Sequence, residues 1–505
     1  MFERLFVANR GEIAARVLRA AREMGVEGVA AAARGDGGAG HLRFADRVQA
    51  LPGDDPRAAY LDARGVVEAA RAAGADALHP GYGFLSESPE FAQLVEDAGI
   101  AFIGPRPDTM AAFGVKTVAR RMAREAGVPT VPGTEEPLAT PDEALALAEG
   151  LGYPVALKAS YGGGGRGIRV VREPGELPAA FAAATREAAQ AFGRGDLYIE
   201  KLLERPRHIE VQVVGDGHGR VVHFFERDCS MQRRNQKLLE ESPAPNLDPA
   251  LRERLLADAV TLAAAGRYRS AGTVEFLVAG GSHYFMEVNA RLQVEHPVSE
   301  MVTGWDLVRL TVELAAGDRA LPDPAEVVAR GHAVECRVNA EDPRQGFLPT
   351  PGQITRFVLP AGPGVRVDTA AAAGTTVSPH FDSLVAKLVV HAPSREESRR
   401  RMLRAIGEFS VGGVMTTLPY HAFAVASTPF AAGEYSTATV GELGAPPPPP
   451  REARDAAALA AVLAEVMGEA GRRATPARPA GGRRPRHPAM RGPYRPGASG
   501  AFHEL

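Results

Sequence analysis

The stretch TVEFLVAGGSHYFMEVNARLQVEH, Thr273 to His296, constrains the fold of this 505-residue chain more tightly than any other. Two runs of period-two alternation flank Gly280-Gly281, the pattern of antiparallel strands joined by a tight turn. A turn centred on Gly281 sets Glu275 opposite Glu287 on one face. If the chain stays extended beyond that point, Glu287, Asn289, Arg291, Gln293 and Glu295 all project together, with Val288, Ala290, Leu292 and Val294 behind them. A solvated strand face would show the same alternation. Two carboxylates and an amide within one hairpin, however, make a hard-oxygen cluster suited to Mg²⁺ carrying nucleotide phosphates. The arginine and second acid just beyond it read as substrate groups.

A second stretch, KASYGGGGRGIRVV from Lys158 to Val171, sets four consecutive glycines beside a lysine. Each glycine costs roughly 0.5–1 kcal/mol of ordering entropy relative to alanine. A flexible surface loop is the plain reading. A Walker A loop requires Gly-Lys-Ser/Thr and then a helix, whereas Arg166-Gly167 leads into the strand-like IRVV. Gly162, Gly164 and Gly167 satisfy the dinucleotide spacing, but that fingerprint also opens a helix. What remains is a glycine-rich hairpin between strands VALKAS and IRVV, whose bare amides are able to fold over phosphates.

Of 58 basic residues only Lys116, Lys158, Lys201, Lys237 and Lys387 are lysines. Arginine therefore fills nearly every generic cation position, and a retained lysine marks a place where a compact ammonium is needed. Lys158 abuts the glycine loop, which sharpens the phosphate reading. Cys229 and Cys336 are the sole cysteines, so a disulfide framework is excluded, a reducing cytosol is expected, and both read as packed thiols. The N-terminus is too polar for a signal peptide and no apolar run of about 18 residues occurs, so a cytoplasmic protein without membrane contact is expected. The net charge of −3 hides a split, because from Arg472 onward eight arginines face Glu504 alone. The acidic remainder argues against nucleic-acid binding by the folded body.

The organisation is α/β. LFVAN, the amphipathic helix GEIAARVLRAAREMG, VEGVAAAA, ADALHP and IAFIGP describe a doubly wound N-terminal domain ending near residue 113. Helix VKTVARRMAREAG follows, then a small lid over about 130–203 that contains the glycine hairpin. From His208 the pattern turns antiparallel, and a further unit starts near Gly331 and ends near Ala445. Five prolines from Pro446 form a stiff spacer. One helix with Leu459, Val462, Leu463, Val466 and Met467 on a face precedes an Arg/Pro/Gly tail expected to be disordered.

Over residues 3 to 440 the chain resembles biotin carboxylases of the ATP-grasp superfamily. The likeness runs in order through ANRGEIAAR, LHPGYGFLSES, KASYGGGGRG, RHIEVQV, ERDCSMQRRNQKLLEE, FMEVNARLQVEHPVSEMVTGWDL, HAVECRVNAEDP and FDSLVAKL. The resemblance implies an N-terminal domain at 1–113, an ATP-grasp domain at 114–330 with its lid at about 130–203, and a C-terminal α+β domain at 331–445. The spacer, helix and basic tail occupy 446–505.

The same resemblance implies ATP bound by Lys116, Lys158, Gly162, Gly163, Gly164, Gly165, Ile168, Glu200, Lys201, Leu203, His208, Gln232, Asn235 and Leu277. Glu275, Glu287 and Asn289 would ligate Mg²⁺ or Mn²⁺. Bicarbonate would sit among Lys237, Arg291, Gln293, the backbone of Val294, and Glu295 as general base. Arg337 would stabilise the biotin enolate with Tyr82 near the ring, so that Lys237, Arg291, Glu295 and Arg337 form the catalytic set. Three positions depart from the family pattern: Asn235 stands where histidine is common, Val115 replaces an Asp, and Phe381 replaces a Tyr.

Biotin is attached to a lysine, usually within Ala/Glu-Met-Lys-Met, and no lysine follows Lys387. The biotin substrate is therefore expected on a separate carrier protein, with a carboxyltransferase as second partner and a homodimer as the assembly. The expected activity is ATP-dependent carboxylation of biotin by bicarbonate through carboxyphosphate, the first half-reaction of an acyl-CoA carboxylase. Two other readings are an ATP-grasp ligase for a different carboxylate or carbamate, and a non-catalytic nucleotide-binding component of a complex.

Overall fold

The computed structural model describes residues 1–134, 136–159 and 168–448. Contacts divide the chain into two units, Met1–Pro446 and Pro447–Leu505. Gly162 to Gly165, the last two prolines of the spacer, the helix expected around Leu463 and the arginine-rich tail lie outside the described residues.

The N-terminal sheet has five parallel strands, β1 (Arg4–Val7), β2 (Glu27–Ala32), β3 (Arg47–Ala50), β4 (Ala77–His79) and β5 (Ala101–Phe102), in the order β3-β2-β1-β4-β5. Leu5 and Val7 enter one apolar core and Phe6 and Ala8 another. Both faces are thus covered, which is why β1 reads as a continuous apolar run. Strand β3 carries mostly exposed residues at the sheet edge, and its short RVQA pattern does not stand out in the sequence.

A small antiparallel sheet follows, formed by β6 (Val155–Ala159), β7 (Ile168–Val171) and β8 (Leu197–Lys201) in the order β7-β6-β8. Val155, Leu157 and Ile199 face a core shared with helices Pro141–Leu151 and Leu177–Phe192. Alternation turns Lys158 and Glu200 to the opposite face.

The largest sheet is antiparallel and eight-stranded. It contains β9 (Arg207–Asp216), β10 (Val221–Arg233), β11 (Gln236–Ser242), β12 (Arg269–Ala279), β13 (Ser282–Asn289) and β14 (His332–Asn339). Its order is β13-β12-β9-β10-β11-β14, continued by strands Leu384–Ala392 and Val365–Thr369. The β11–β14 ladder pairs Leu239 with Cys336, Glu240 with Glu335 and Glu241 with Val334. Backbone pairing therefore runs without a break past residue 331. Among the described residues no helix is long and apolar enough to cross a membrane.

Two turns bear on the site. Arg234 and Asn235, with φ of 50° and 64°, join β10 to β11 where Arg233 faces Gln236. A two-residue hairpin turn of this kind needs positive φ at both central residues, which asparagine tolerates well. At the other turn Ala279 pairs with Ser282, so the loop is centred between Gly280 and Gly281 rather than on Gly281. A bulge between Glu275 and Phe276 then shifts the register by one, and Glu275 faces Glu287 as expected, with the bulge supplying the offset.

Candidate active site

The polar side of the large sheet gathers the site. On β9 and β12, Ile209, Val211, Val274 and Phe276 enter the apolar core, so the alternate residues His208, Glu210 and Glu275 point the other way. Register sets Glu210 opposite Glu275 and His208 opposite Leu277, while Arg227 of β10 pairs with Glu210. Arg227 and Glu210 are fully buried and meet at 2.6 Å.

Lys237 is the hub. Its ammonium contacts Glu210, Glu275 at 3.0 Å and Glu295 at 2.5 Å. Burial alone would lower its pKa, but the three carboxylates raise it well above the ordinary value. Glu275 also accepts from His208 Nε2 at 2.8 Å, Asn289 Nδ2 at 2.6 Å and Gln293 Nε2 at 3.0 Å. Burial would raise the Glu275 pKa, and Lys237 with His208 more than offset it.

The expected straight row from Glu287 to Glu295 needs correction. Strand β13 ends at Asn289, and residues 290–295 form a turn that closes with Glu295 as the N-cap of helix His296–Thr303, at φ −81° and ψ 10°. The side chains still converge because the turn folds them back. Arg291 donates to Gln293 Oε1 at 3.1 Å and to Asn289 Oδ1 at 3.2 Å. Glu295 Oε1 accepts from Lys237, and Glu295 Oε2 accepts from Arg337 at 2.8 Å. Arg337 also donates through Nε to Glu240 at 2.5 Å. Burial and Glu210 push the Glu295 pKa up, yet Lys237 and Arg337 hold it below the usual carboxylate value. Glu295 is therefore ionised at neutral pH.

The expected nucleotide residues lie around this centre in a looser set. Lys116 opens helix Lys116–Glu125, 3.4 Å from Glu287. Lys158 pairs with Glu200, which also accepts from Arg120 at 2.8 Å. Gln232 Nε2 meets His208 Nδ1 at 3.0 Å. Lys201 is spent elsewhere, donating to the carbonyls of Gly152 at 2.9 Å and Tyr153 at 3.0 Å. Leu203 follows β8, partly buried Leu277 lies in β12, Ile168 opens β7 with 41% exposure, and Asn235 is exposed at its turn. The proposed metal ligands fit a hard cation in type, since Glu275, half-buried Glu287 and Asn289 present oxygen donors along one hairpin. His208, Glu210 and Glu275 bring ligand atoms within 4.8 Å of one another, and the two carboxylates of this group are bonded to the Lys237 ammonium.

Tyr82, expected near the biotin ring, and several further residues complete the site. Tyr82 donates its hydroxyl to Glu12, and Lys387 lies 3.1 Å from Glu12 and donates to the Val294 carbonyl at 3.0 Å. Glu87 reaches Arg291 at 2.9 Å. The scarcity of lysine is a signal for Lys387; Glu12, Glu87, Glu210 and Glu240 carry none, since glutamate is common on any surface. Cys229 Sγ sits 4.0 Å from Glu295 Oε1, and burial raises both cysteine thiols well above their ordinary range, as packed thiols require. The three departures find local settings: Asn235 in its turn, Val115 as an N-cap without a side-chain bond, and Phe381 under the Arg10 guanidinium at 3.6 Å.

Known proteins resemble this chain over most of its length. Residues 1–110 match the family model for the biotin carboxylase N-terminal domain, residues 116–322 that for the carbamoyl-phosphate synthase L chain ATP-binding domain, and residues 335–442 that for the biotin carboxylase C-terminal domain. A biotin carboxylase from Nostoc sp. is 47% identical over 443 residues, covering 88% of this chain and 99% of the relative. Biotin carboxylase 1 from Bacillus subtilis is 45% identical over 439 residues, covering 86% and 98%. Among solved structures, the biotin carboxylase domain dimer of Hydrogenobacter thermophilus 2-oxoglutarate carboxylase, in complex with MgADP, ADP and bicarbonate, superposes with a TM-score of 0.84 at 45% identity. It covers 88% of this chain and 98% of the other.

Proposed function

The chain belongs to the biotin carboxylase family of ATP-dependent carboxylating ligases, and on that premise we propose which of its residues perform each step and where its biotin is carried. The observation that carries the assignment is the chain of contacts from Lys237 through Glu295 to Arg337, which sets a base between two cations.

In this reading Lys116 and Lys158 neutralise the triphosphate, with Glu200, Lys201, Leu203, His208, Gln232 and Leu277 around the nucleotide. Glu275, Glu287 and Asn289 would hold Mg²⁺ or Mn²⁺, which when bound would supply charge neutralisation for phosphoryl transfer. Bicarbonate binds against Lys237, Arg291, Gln293 and the Val294 backbone. As the anion engages Lys237, Glu295 loses part of its compensating charge and its proton affinity rises. Glu295 then removes the bicarbonate proton, and the dianion oxygen attacks the γ-phosphorus as ADP leaves, giving carboxyphosphate. Carboxyphosphate separates into carbon dioxide and phosphate, and the phosphate takes the biotin ureido N–H proton. The resulting enolate, its oxygen held by Arg337 and its ring near Tyr82, bonds to carbon dioxide.

Biotin is carried on a separate polypeptide in this proposal. None of the five lysines stands in a Met-Lys-Met setting, and all five fall within Met1–Pro446. A carboxyltransferase partner then passes the carboxyl group to its acceptor, an acyl-CoA in the reading drawn from the family resemblance. A homodimer, a cytoplasmic setting and the division into domains at 1–113, 114–330 and 331–445 belong to the same proposal.

The test is ATP cleavage by the full chain with and without bicarbonate, Mg²⁺ and free biotin, beside Glu295→Gln. Cleavage that needs all three, and falls by about 10²–10⁴ in the variant, is expected. Turnover that ignores bicarbonate and biotin, or that survives the substitution, overturns the assignment.

A further inference from the structure

Arg337 is held by Glu240, and Glu240 has a neighbour whose presence needs an explanation. Register places Glu335 of β14 directly opposite Glu240 of β11, with side chains of paired residues roughly 4.5–5.5 Å apart at Cβ. Glu240 and Glu335 are 1% and 0% exposed. Of their four carboxyl oxygens, Glu240 Oε1 accepts from Arg337, while Glu240 Oε2, Glu335 Oε1 and Glu335 Oε2 have no hydrogen-bond partner. Two ionised carboxylates in this arrangement would leave three buried acceptors empty beside a like charge. One proton between the two groups turns an acceptor into a donor and relieves both problems.

We propose that Glu240 and Glu335 share one proton at neutral pH, and that this acid pair sets the charge and the aim of Arg337 toward Glu295 and the biotin enolate. The role rests on the biotin carboxylase reading above; the shared proton does not.

The surroundings agree. The pair is faced by Arg337 on β14, by Lys237 on β11, by Lys387 on strand Leu384–Ala392 and by Glu295 at the start of helix His296–Thr303, with the Cys229 and Cys336 thiols close by. That helix adds apolar Val298 and Val302 over Ala333 and Val389 of the same strands. Burial raises the Glu240 carboxyl to about 7 against the pull of Arg337, and raises Glu335 well above the carboxylate range. With one proton in the pair, Glu240 presents a single negative charge to Arg337 and the second guanidinium arm stays on Glu295. Loss of that proton at higher pH places a second negative charge beside Arg337 and draws it away from Glu295. The pair is thus a positioning device with an alkaline limit.

The experiment reads the proton itself. Difference infrared spectra of the full chain at neutral pH should contain a protonated carboxyl C=O band that Glu335→Gln removes and Glu240→Gln shifts. In the biotin-dependent reaction Glu335→Ala should lower kcat by about tenfold or more, the scale on which misplaced groups act. Glu335→Gln, which keeps a donor toward Glu240, should recover kcat to within about threefold of the parent and carry the alkaline fall of the pH profile to higher pH. A protonated carboxyl band unchanged in Glu335→Gln overturns the shared proton, whatever substrate the enzyme takes. Loss of that band without any change in the alkaline limb overturns the link to Arg337.

Discussion

Lys387 donates to the carbonyl oxygen of Val294 at 3.0 Å from a side chain with no solvent exposure. It also lies 3.1 Å from Glu12 and 3.8 Å from Asp368, so it ties the turn before Glu295 to the first helix of the parallel sheet. Lys387→Met leaves Glu12 buried without its cation, while Asp368 keeps its pairing with Arg366, and is expected to cost about 3–5 kcal/mol of stability. The KM for bicarbonate should rise with it. Urea unfolding and bicarbonate titration of the variant check both, and an unchanged KM would remove Lys387 from the site.

Glu241 sets an acid limit on the fold. Its carboxylate accepts from His332 Nε2 at 2.5 Å and from Arg395 at 2.7 Å and 2.9 Å. Burial would raise its pKa, but these bonds bring it down to about 2 from an ordinary 4.5. A depressed folded-state value means that its contribution is complete above pH 4.5 and is lost as pH falls toward 2. The loss is on the order of 3 kcal/mol. Glu241→Gln should therefore flatten the stability profile in that window, as acid titrations followed by circular dichroism will show.

Val115 caps helix Lys116–Glu125 without a side-chain hydrogen bond, at extended φ −99° and ψ 110°. An aspartate there accepts from the first turn and opposes the helix dipole, so Val115→Asp should stabilise the protein by about 1 kcal/mol. Denaturant midpoints measure this. No shift in the midpoint would mean that the helix start is satisfied in another way.

Chelation of divalent metal with EDTA should abolish ATP cleavage, and added Mg²⁺ should restore it. Glu287 is half-buried and meets Lys116 at 3.4 Å, so Glu287→Gln should fold normally while raising the Mg²⁺ concentration needed for half-maximal rate by about tenfold or more, as loss of one charged ligand does. An unaltered Mg²⁺ requirement would take Glu287 out of the ligand set.

Much of this site is legible in the sequence because its signals are local. Alternation in TVEFLVA fixes which side Glu275 takes, and the rarity of lysine singles out Lys237 before any contact is known. The Glu275–Glu287 pairing is correct, yet it depends on a bulge that no local pattern announces. The turn at 290–295 is likewise hidden: ARLQVE alternates like a strand, and only the packing of helix His296–Thr303 ends it at Asn289. Glu240 and Glu335 are invisible for a different reason. Glu335 stands in the alternating run HAVECRVN and Glu240 in the doubled LLEE of β11, neither of which points to the other, and their meeting is a product of β11–β14 register. Strand β3 escapes notice because an exposed edge strand carries little apolar signal.

The unbroken ladder across residue 331 has a further consequence for how this protein tolerates change. Because side chains on neighbouring positions of a strand face opposite ways, inserting or deleting a single residue in β14 ahead of Glu335 turns Glu335 and Arg337 to the Met402 side and brings Cys336 to the reactive side, and the same change in β11 exchanges Glu240 with Leu239. Length change is thereby kept out of β11 and β14, and strand register holds Lys237 and Arg337 on either side of Glu295 while the loops between them are free to vary.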